Sequence, residues 1–498
     1  MVMTISPNGQ PRLDADKSKA HAKAVKTRLN ELGVDIKLSH AYEALASSHG
    51  FRNWATMSAG LSGTSGGSIT IAKEGHARYS FTDGSRSFGK DISLTFQQCR
   101  NHVEFIGRKK RSHAISSVVA QAIRIGAGAI FAEAGGTSEP VETIIRAAER
   151  AGRTDDVRII DFNAPATDKP LRYTPFSTCT GDEMAEMLAG FVDVEGEEGR
   201  HWKGRSKAML SGICEILTWA RDNGSVDVTA GEINKMISFR DLIDFTDHEE
   251  YPDIPSDVRS RVSKYLSTLP GFNAALGHRQ SQTTLDQHGY AEMQLCKVLS
   301  ELDYAHARVL GSRPRIFGRR PRHLDMDTVV NENLIFIVRM PPLELAPDER
   351  AFPGRLILGD AHRALKRRIG SMDQDGKPPF FLAFDHFDAA ASRRDDLGDL
   401  VSDLTAANAC LLAGSDHAVP LAEFKRSTSI HLAENSLSGE CKIVTQERTM
   451  TATFPTEDPD GQTAETLRPN KLNPFAPGSS EALARMVAGL IDDAGANC

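Results

Sequence analysis

Apolar positions along the middle of this chain alternate between two periods. Residues 103–106 are a short apolar run with strand spacing. Residues 114–125 then place Ile115, Val118, Val119, Ala122 and Ile123 at i, i+3, i+4, i+7 and i+8, one face of a helix. A buried strand at 129–132, a helix at 141–151 and a third strand at 157–162 follow. The same alternation resumes with strands at 334–338, 380–384 and 410–413 and helices at 347–369 and 399–407. Strand, loop and helix in repeated succession predict an α/β fold with a doubly wound sheet. Between the two α/β stretches the period is helical, with Met184, Met187, Leu188 and Phe191 on one stripe and long helices through 209–220 and through His288, Gly289 and Tyr290. The expected layout is an α/β domain of residues 63–185 and 312–450 interrupted by an all-α domain at 186–311.

Both ends read differently. Residues 17–32 present Ala22, Val25, Leu29 and Leu32 on one face, Gly33 stops that helix, and Ser39 caps a second one that Gly50 ends. Phe51, Trp54, Met57 and Leu61 suit a short third helix, so residues 1–62 form a small helical unit before the GTSGG linker at 63–67. Residues 79–96 are a β-rich entrance to the α/β domain. From residue 451 the chain turns polar, and it ends in a stripe of Leu483, Met486, Val487, Leu490 and Ile491 that must be buried on its own domain or on a partner.

The loop after the first α/β strand carries the frame of a phosphate-binding motif. G-x-x-x-x-G-K-[ST] works because glycines let backbone N–H groups wrap a phosphate, a lysine neutralises its charge and a hydroxyl holds Mg²⁺. Gly107 stands at the first glycine; counting on, Ser112 falls at the second glycine, His113 at the lysine and Ala114 at the hydroxyl. The intervening Arg108, Lys109, Lys110 and Arg111 are bulky and cationic where the loop should be small. Each charge-assisted hydrogen bond lost from a phosphate is worth roughly 1.5–3 kcal/mol, and the lysine, cradle and hydroxyl all act on one group.

Composition narrows the setting. The 498 residues are 40% hydrophobic, enough for several cores. Seven cysteines form no C-x-x-C pair, which points to a reducing, cytoplasmic setting. No stretch approaches the roughly 20 apolar residues of a membrane helix, so contact with the inner membrane is expected only through a partner. The net charge of −7 argues against nucleic-acid binding by the whole surface. Local exceptions are the Arg108–Lys109–Lys110–Arg111 cluster and Arg313, Arg315, Arg319, Arg320 and Arg322, each readable as a contact for DNA phosphates, a ring channel or a partner, or as a solvated loop.

Five stretches in order, GAGAIFAEAGG, AGRTDDVRIIDFNAP, HWKGRSKAMLSGICEILTWARD, LDQHGYAEMQ and FFLAFDHF, resemble the type IV coupling protein ATPases of conjugation and type IV secretion. The resemblance spans roughly residues 87–434 and implies a RecA-like P-loop NTPase fold interrupted by an all-α domain and assembled as a ring. The segment GVDIKLSHAYEALASSHGFRNWATMSA resembles a small helical domain related to the glyoxalase superfamily and frequent in mobile-element proteins. Its His21, His40 and His49 lie on two short helices, where surface or packing roles are commoner than convergence on a metal. The departures from the coupling-protein pattern fall at working positions. The Walker B strand, which in that family ends in Asp-Glu, ends here in Asp385-His386; Ser415 stands where the sensor strand has glutamine; Glu133 to Thr137 lack the usual acidic, Lys-containing run.

The resemblance and the departures together imply a pseudo-ATPase with no nucleotide or metal cofactor, acting as scaffold, adaptor or regulatory subunit beside secretion or conjugation components and a true coupling ATPase. Asp385 then only caps a loop, and its replacement by alanine should leave function intact, because no hydrolysis depends on it. The alternatives are a divergent but active DNA-translocating ATPase using ATP and Mg²⁺, and a nucleic-acid-binding module of a mobile element.

Overall fold

The computed structural model describes residues 15–31, 37–48, 54, 57, 68–74, 78–79, 86–87, 90–108, 110–133, 138–163, 171–192, 196–305, 309–311, 324–341, 347–370, 378–391, 397–418, 428–432, 440–444 and 449–453. The linker at 63–67, Lys109, the arginine cluster at 313–322 and the tail with its apolar stripe lie outside the described residues.

Strands β1 (Ser68–Glu74), β4 (Asp91–Thr95), β5 (Val103–Ile106), β6 (Ala129–Glu133), β7 (Val157–Asp161), β8 (Ile335–Arg339), β9 (Phe380–Phe384), β10 (Ala409–Ser415), β11 (Thr428–Leu432), β12 (Glu440–Val444) and β13 (Thr449–Thr453) form one sheet among the described residues. Its order is β4-β1-β13-β12-β11-β5-β10-β9-β6-β8-β7. From β11 to β7 every neighbouring pair is parallel. The other pairs, β11 to β12, β13, β1 and β4, are antiparallel. The fold is therefore α/β with a mostly parallel sheet. A separate two-stranded ribbon pairs β2 (Arg78–Tyr79) with β3 (Arg86–Ser87).

Helices cover both faces, so the central strands are buried along their whole length and read as continuous apolar runs rather than alternating ones. The pleat still sorts them. Phe380, Leu382 and Phe384 join one core, with Leu356, Leu365 and Leu404 of the helices Pro347–Arg368 and Leu397–Ala406. Phe381 and Ala383 join the other, with Ile115, Val119 and Ile144 of the helices Arg111–Arg124 and Glu139–Arg150. The first core runs on into the helices Gly181–Ala189, Gly196–Asp222, Ser256–Ser267 and Gln282–Ser300.

Where the chain enters and leaves the helical stretch, Tyr173 ties three segments together. Its N–H donates to Val309 O at 2.8 Å, its carbonyl accepts from Gly311, and the next residue, Thr174, donates to Leu324 O at 2.9 Å. The Tyr173 hydroxyl donates to the fully buried Asp360, which Arg363 also holds. Burial raises the Asp360 carboxyl to about 6 despite that arginine.

Near the start of the chain the helices Ala15–Glu31 and Leu38–Ser48 bury Ala22, Ala41, Leu45, Ala46 and Met57 together. Tyr42 stacks on Trp54 with centroids 4.4 Å apart, and Glu43 accepts the Trp54 backbone N–H at 3.0 Å. Three small alanines let the two helices approach closely, while the ring pair closes one end of the cluster.

Arg153, within one of the quoted sequence landmarks, is fully buried and ion-pairs with Asp156 at 2.8 Å. Its guanidinium also donates to Ala127 O, Ile123 O and Asn333 O, tying the end of the Arg111–Arg124 helix to the loop before β8. Removing it would strand a buried carboxylate and take a donor from the loop carbonyls of Ala127 and Asn333. Arg153→Met should lower unfolding free energy by roughly 3–5 kcal/mol in urea titration, and Arg153→Lys should recover only part of it because one ammonium cannot reach the same fork of acceptors.

His102, at φ 66°, accepts the Leu411 N–H through Nδ1 at 3.1 Å and reaches Val401 O through Nε2 at 3.3 Å. Burial depresses its pKa to about 4, against the opposing pull of the Val401 hydrogen bond, and burial depresses His288 to about 4 as well. An unfolded chain binds these protons near pH 6.5. The stability held by the neutral rings is thus complete above about pH 6.5 and is lost as pH falls toward 4. Each histidine should add up to about 1.4 kcal/mol per pH unit to the slope in that window, and His102→Gln should flatten it in denaturation curves taken between those limits.

Candidate functional site at the strand ends

The carboxyl ends of β5, β9 and β10 meet at one place, where α/β sheets hold ligands. Register brings them level. Ser415 pairs with Ile106 and Ala413 with Phe384, so Gly107 emerges next to Asp416 on one side of β10 and Asp385 next to Gly414 on the other. Gly107 (φ 125°) donates its N–H to Ser415 O at 3.0 Å, and the buried Ser415 turns its hydroxyl to His417 O. Lys110 takes the left-handed conformation at φ 60°, and the helix starts at the next residue, Arg111.

Arg111 is the centre of the site. Its side chain is 2% exposed and that of Asp385 4%, and Nε donates to Asp385 Oδ1 at 2.9 Å. Nη1 donates to Asp416 Oδ1 at 2.9 Å and to Gly107 O at 3.1 Å. Nη2 lies 3.1 Å from both ring nitrogens of His386. Ser112 closes the far side, its hydroxyl donating to Asp385 Oδ2 at 2.5 Å. An arginine has donors only, so the ring nitrogen it meets must be an acceptor and His386 neutral. Burial, aided by the charge of Arg111, lowers the His386 pKa against the pull of Asp385. At Asp416 the cost of burial is outweighed by hydrogen bonds and charge from Arg111 and Arg108, so its carboxyl titrates below the usual range. A cation in the first turn opposes the helix dipole; two carboxylates at that end offset it.

The structure separates the residues that sequence spacing had grouped. His113, expected at the lysine position, points away from Asp385 and pairs with Glu139 at 2.8 Å, half exposed. Ala114, expected at the hydroxyl position, is buried in the core. The side chains that face Asp385 are Arg111 and Ser112, because the helix begins three residues before the start that its apolar stripe suggested. Arg111 is also a correction to the reading of 108–111 as a cationic surface, since its charge is consumed inside the fold. Arg108 keeps a 72% exposed side chain and pairs with Asp416 at 2.9 Å. Asp385 does more than cap a loop, since Arg111 and Ser112 bond its two oxygens. Trp202 is half-buried outside the core, beside Tyr290 with Arg205 over its ring.

Two participants had no sequence signal of their own. Asp416 was visible only as the end of LLAGSD. Gly414 is required by contact: a Cβ there would stand 2.5 Å from Asp385 O, 2.9 Å from Ile115 Cδ1 and 3.0 Å from Arg111 Cδ.

The chain is 24% identical over 312 residues to the type 4 coupling protein DotL of Legionella pneumophila. It is related to the type IV coupling proteins. The match covers 58% of this chain and 39% of DotL, so the chain spans well under half of that relative. A family model described as glyoxalase superfamily protein matches residues 8–84. Among solved structures, the plasmid coupling protein TrwB in complex with a non-hydrolysable ATP analogue aligns at 14% identity and a TM-score of 0.41, over 72% of this chain and 78% of TrwB. VirB4 of Thermoanaerobacter pseudethanolicus aligns at 12% identity and a TM-score of 0.42, over 80% and 98%. At TM-scores this low the fold assignment rests on the strand order itself. No helix among the described residues is long and apolar enough to cross a membrane.

Asp385→Ala would leave Arg111 buried with half of its neutralising charge, and Gly414→Ala would force backbone and guanidinium stem apart. The first should cost about 3–5 kcal/mol and the second about 1–3 kcal/mol in chemical denaturation, with Asp385→Asn milder than Asp385→Ala.

Proposed function

We propose that this chain is a coupling-protein relative whose strand-end site holds a structural ion pair in place of a nucleotide: a pseudo-ATPase acting as scaffold, adaptor or regulatory subunit in conjugative DNA transfer or type IV secretion. The observation that carries this reading is the engagement of both carboxylate oxygens of Asp385 from within the chain, by Arg111 and by Ser112. A buried arginine on the Walker B aspartate supplies the positive charge that a metal-bound nucleotide would otherwise bring there, and competes with it for the same carboxylate. The loop adds to the misfit. Three residues, 108–110, separate Gly107 from the helix, fewer than the four and a glycine that wrap a phosphate in the motif, and they include two lysines and an arginine. Residues placed this way do not fit magnesium nucleotide.

The function is then binding. The similarity to a type 4 coupling protein supports as partners conjugation or secretion components and a catalytically competent coupling ATPase, with the α/β body serving as the shared surface.

A divergent, active motor has one observation in its favour. Arg111 and Ser112 follow each other as a cation and a hydroxyl, the order of the Lys-Ser/Thr pair of a phosphate loop shortened by two residues, and both meet the strand-end aspartate. Turnover separates the two. Purified protein with Mg²⁺ and ATP, with and without single-stranded DNA, should show neither saturable nucleotide binding nor phosphate release. Turnover that Asp385→Asn abolishes in a folded protein would replace the scaffold with a motor.

A further inference from the structure

We propose that a proton-operated latch closes the neck where the chain enters and leaves the helical stretch: Asp360, the buried end of a chain of alternating charges, holds the neck tightly when it carries a proton and loosens it when ionised. The inference is independent of the strand-end site and of whether nucleotide binds there.

The charges run Asp360, Arg363, Asp327, Arg367, Glu183. Arg363 pairs with Asp360 at 2.7 Å and with Asp327 at 2.8 Å, while Arg367 reaches Asp327 at 3.5 Å and pairs with Glu183. Three carboxylates face two guanidiniums, so one negative charge is in excess. Arginine does not release its proton in a protein, and the balance is therefore set by which carboxyl takes one up. Water reaches Glu183, 28% exposed, but not the fully buried Asp360. The other titratable groups facing Asp360 among the described residues add no cation: burial holds both the Tyr173 hydroxyl and the Cys179 thiol protonated. In keeping with that count, burial, with Asp327 beside it, raises the Asp360 carboxyl to about 6 against the pull of Arg363 and the Tyr173 hydroxyl.

The cluster sits where it can act on the neck. Asp360, Arg363 and Arg367 belong to the Pro347–Arg368 helix on the sheet, Asp327 to the short helix Met326–Asn331 and Glu183 to Gly181–Ala189. Tyr173 connects them to the backbone: its hydroxyl lies on Asp360 while its N–H and carbonyl hold Val309 and Gly311. An ionised Asp360 lacks a cation of its own in this closed space, and opening the neck to water relieves it. A carboxyl at about 6 when closed and about 3.9 when hydrated favours closure fully below about pH 4 and loses that contribution as pH rises through 6. The closed-to-open ratio falls by about tenfold per pH unit in that window, on the order of 100-fold in all. The sense is opposite to that of His102 and His288, whose contribution is lost as pH falls.

The test is amide hydrogen exchange at Tyr173, Thr174 and Gly311, whose N–H groups are the neck bonds or adjoin them. Wild type is compared at each pH with Asp360→Asn, which fixes the neutral form, so that the intrinsic pH dependence of exchange cancels. The ratio of wild-type to variant exchange rates should rise about tenfold between pH 5 and 7, with the variant the slower at pH 7. If Asp360→Asn does not fold, the infrared carbonyl band of the protonated carboxyl decides. That band should vanish as pH rises through about 6 in wild type, and at higher pH in Tyr173→Phe, which takes a hydrogen bond from the ionised form. Three results overturn the latch: an exchange ratio that stays constant from pH 5 to 7, faster exchange in Asp360→Asn than in wild type at pH 7, or no carboxyl band whose midpoint Tyr173→Phe moves upward.

Discussion

A charge buried at the end of a parallel sheet must be paired where it lies, and the pairing of Arg111 with Asp385 organises everything near it. At an effective interior dielectric the desolvation of either group costs several kcal/mol, and the mutual attraction offsets it only when the remaining donors and acceptors are also satisfied. That condition explains the crowd around the pair. Ser112 takes the second oxygen of Asp385, Asp416 and the Gly107 carbonyl take Nη1, and His386 stays neutral to accept from Nη2. Gly414 has no side chain because the stem of Arg111 and the backbone of Asp385 fill its space.

The same solution appears at the opposite end of the Arg111–Arg124 helix. Arg153 lies fully buried there, paired with Asp156 and donating to carbonyls of the helix end and of two loops. One helix thus has a buried arginine at each terminus, one belonging to its own first turn and one reaching in from the loop before β7. Both fix how the helix sits on the sheet.

The α/β alternation was legible because buried parallel strands and their covering helices leave strong apolar signals. The 103–106 and 380–384 runs coincide with β5 and β9. The antiparallel extension was harder to read. β11, β12 and β13 are five residues each, with polar positions throughout, and β13 reaches Thr453, beyond where the polar tail was expected to start. Short strands of that kind gain their order from pairing with distant segments, and β1 pairs with β13 across most of the chain. The candidate site was half legible. Asp385 stood out at a strand end, and Gly107 marked the loop, but counting along the motif selected His113 and Ala114 in place of Arg111 and Ser112. A helix start depends on backbone conformation, here the left-handed Lys110, and an apolar stripe reports only where a helix is buried.

The sequence by itself determined the succession of the buried parallel strands from β5 to β10 with their covering helices, and the relation to coupling proteins, because each depends on local periodicity and on stretches read in succession. Only the tertiary structure decided that Arg111 points inward, that Asp416 and Gly414 belong to the site, and that Asp385 has no free oxygen. Those facts come from residues about 270 to 305 positions apart meeting at the same strand ends. Electrostatic pairing at such range is set by strand register, which no local pattern encodes.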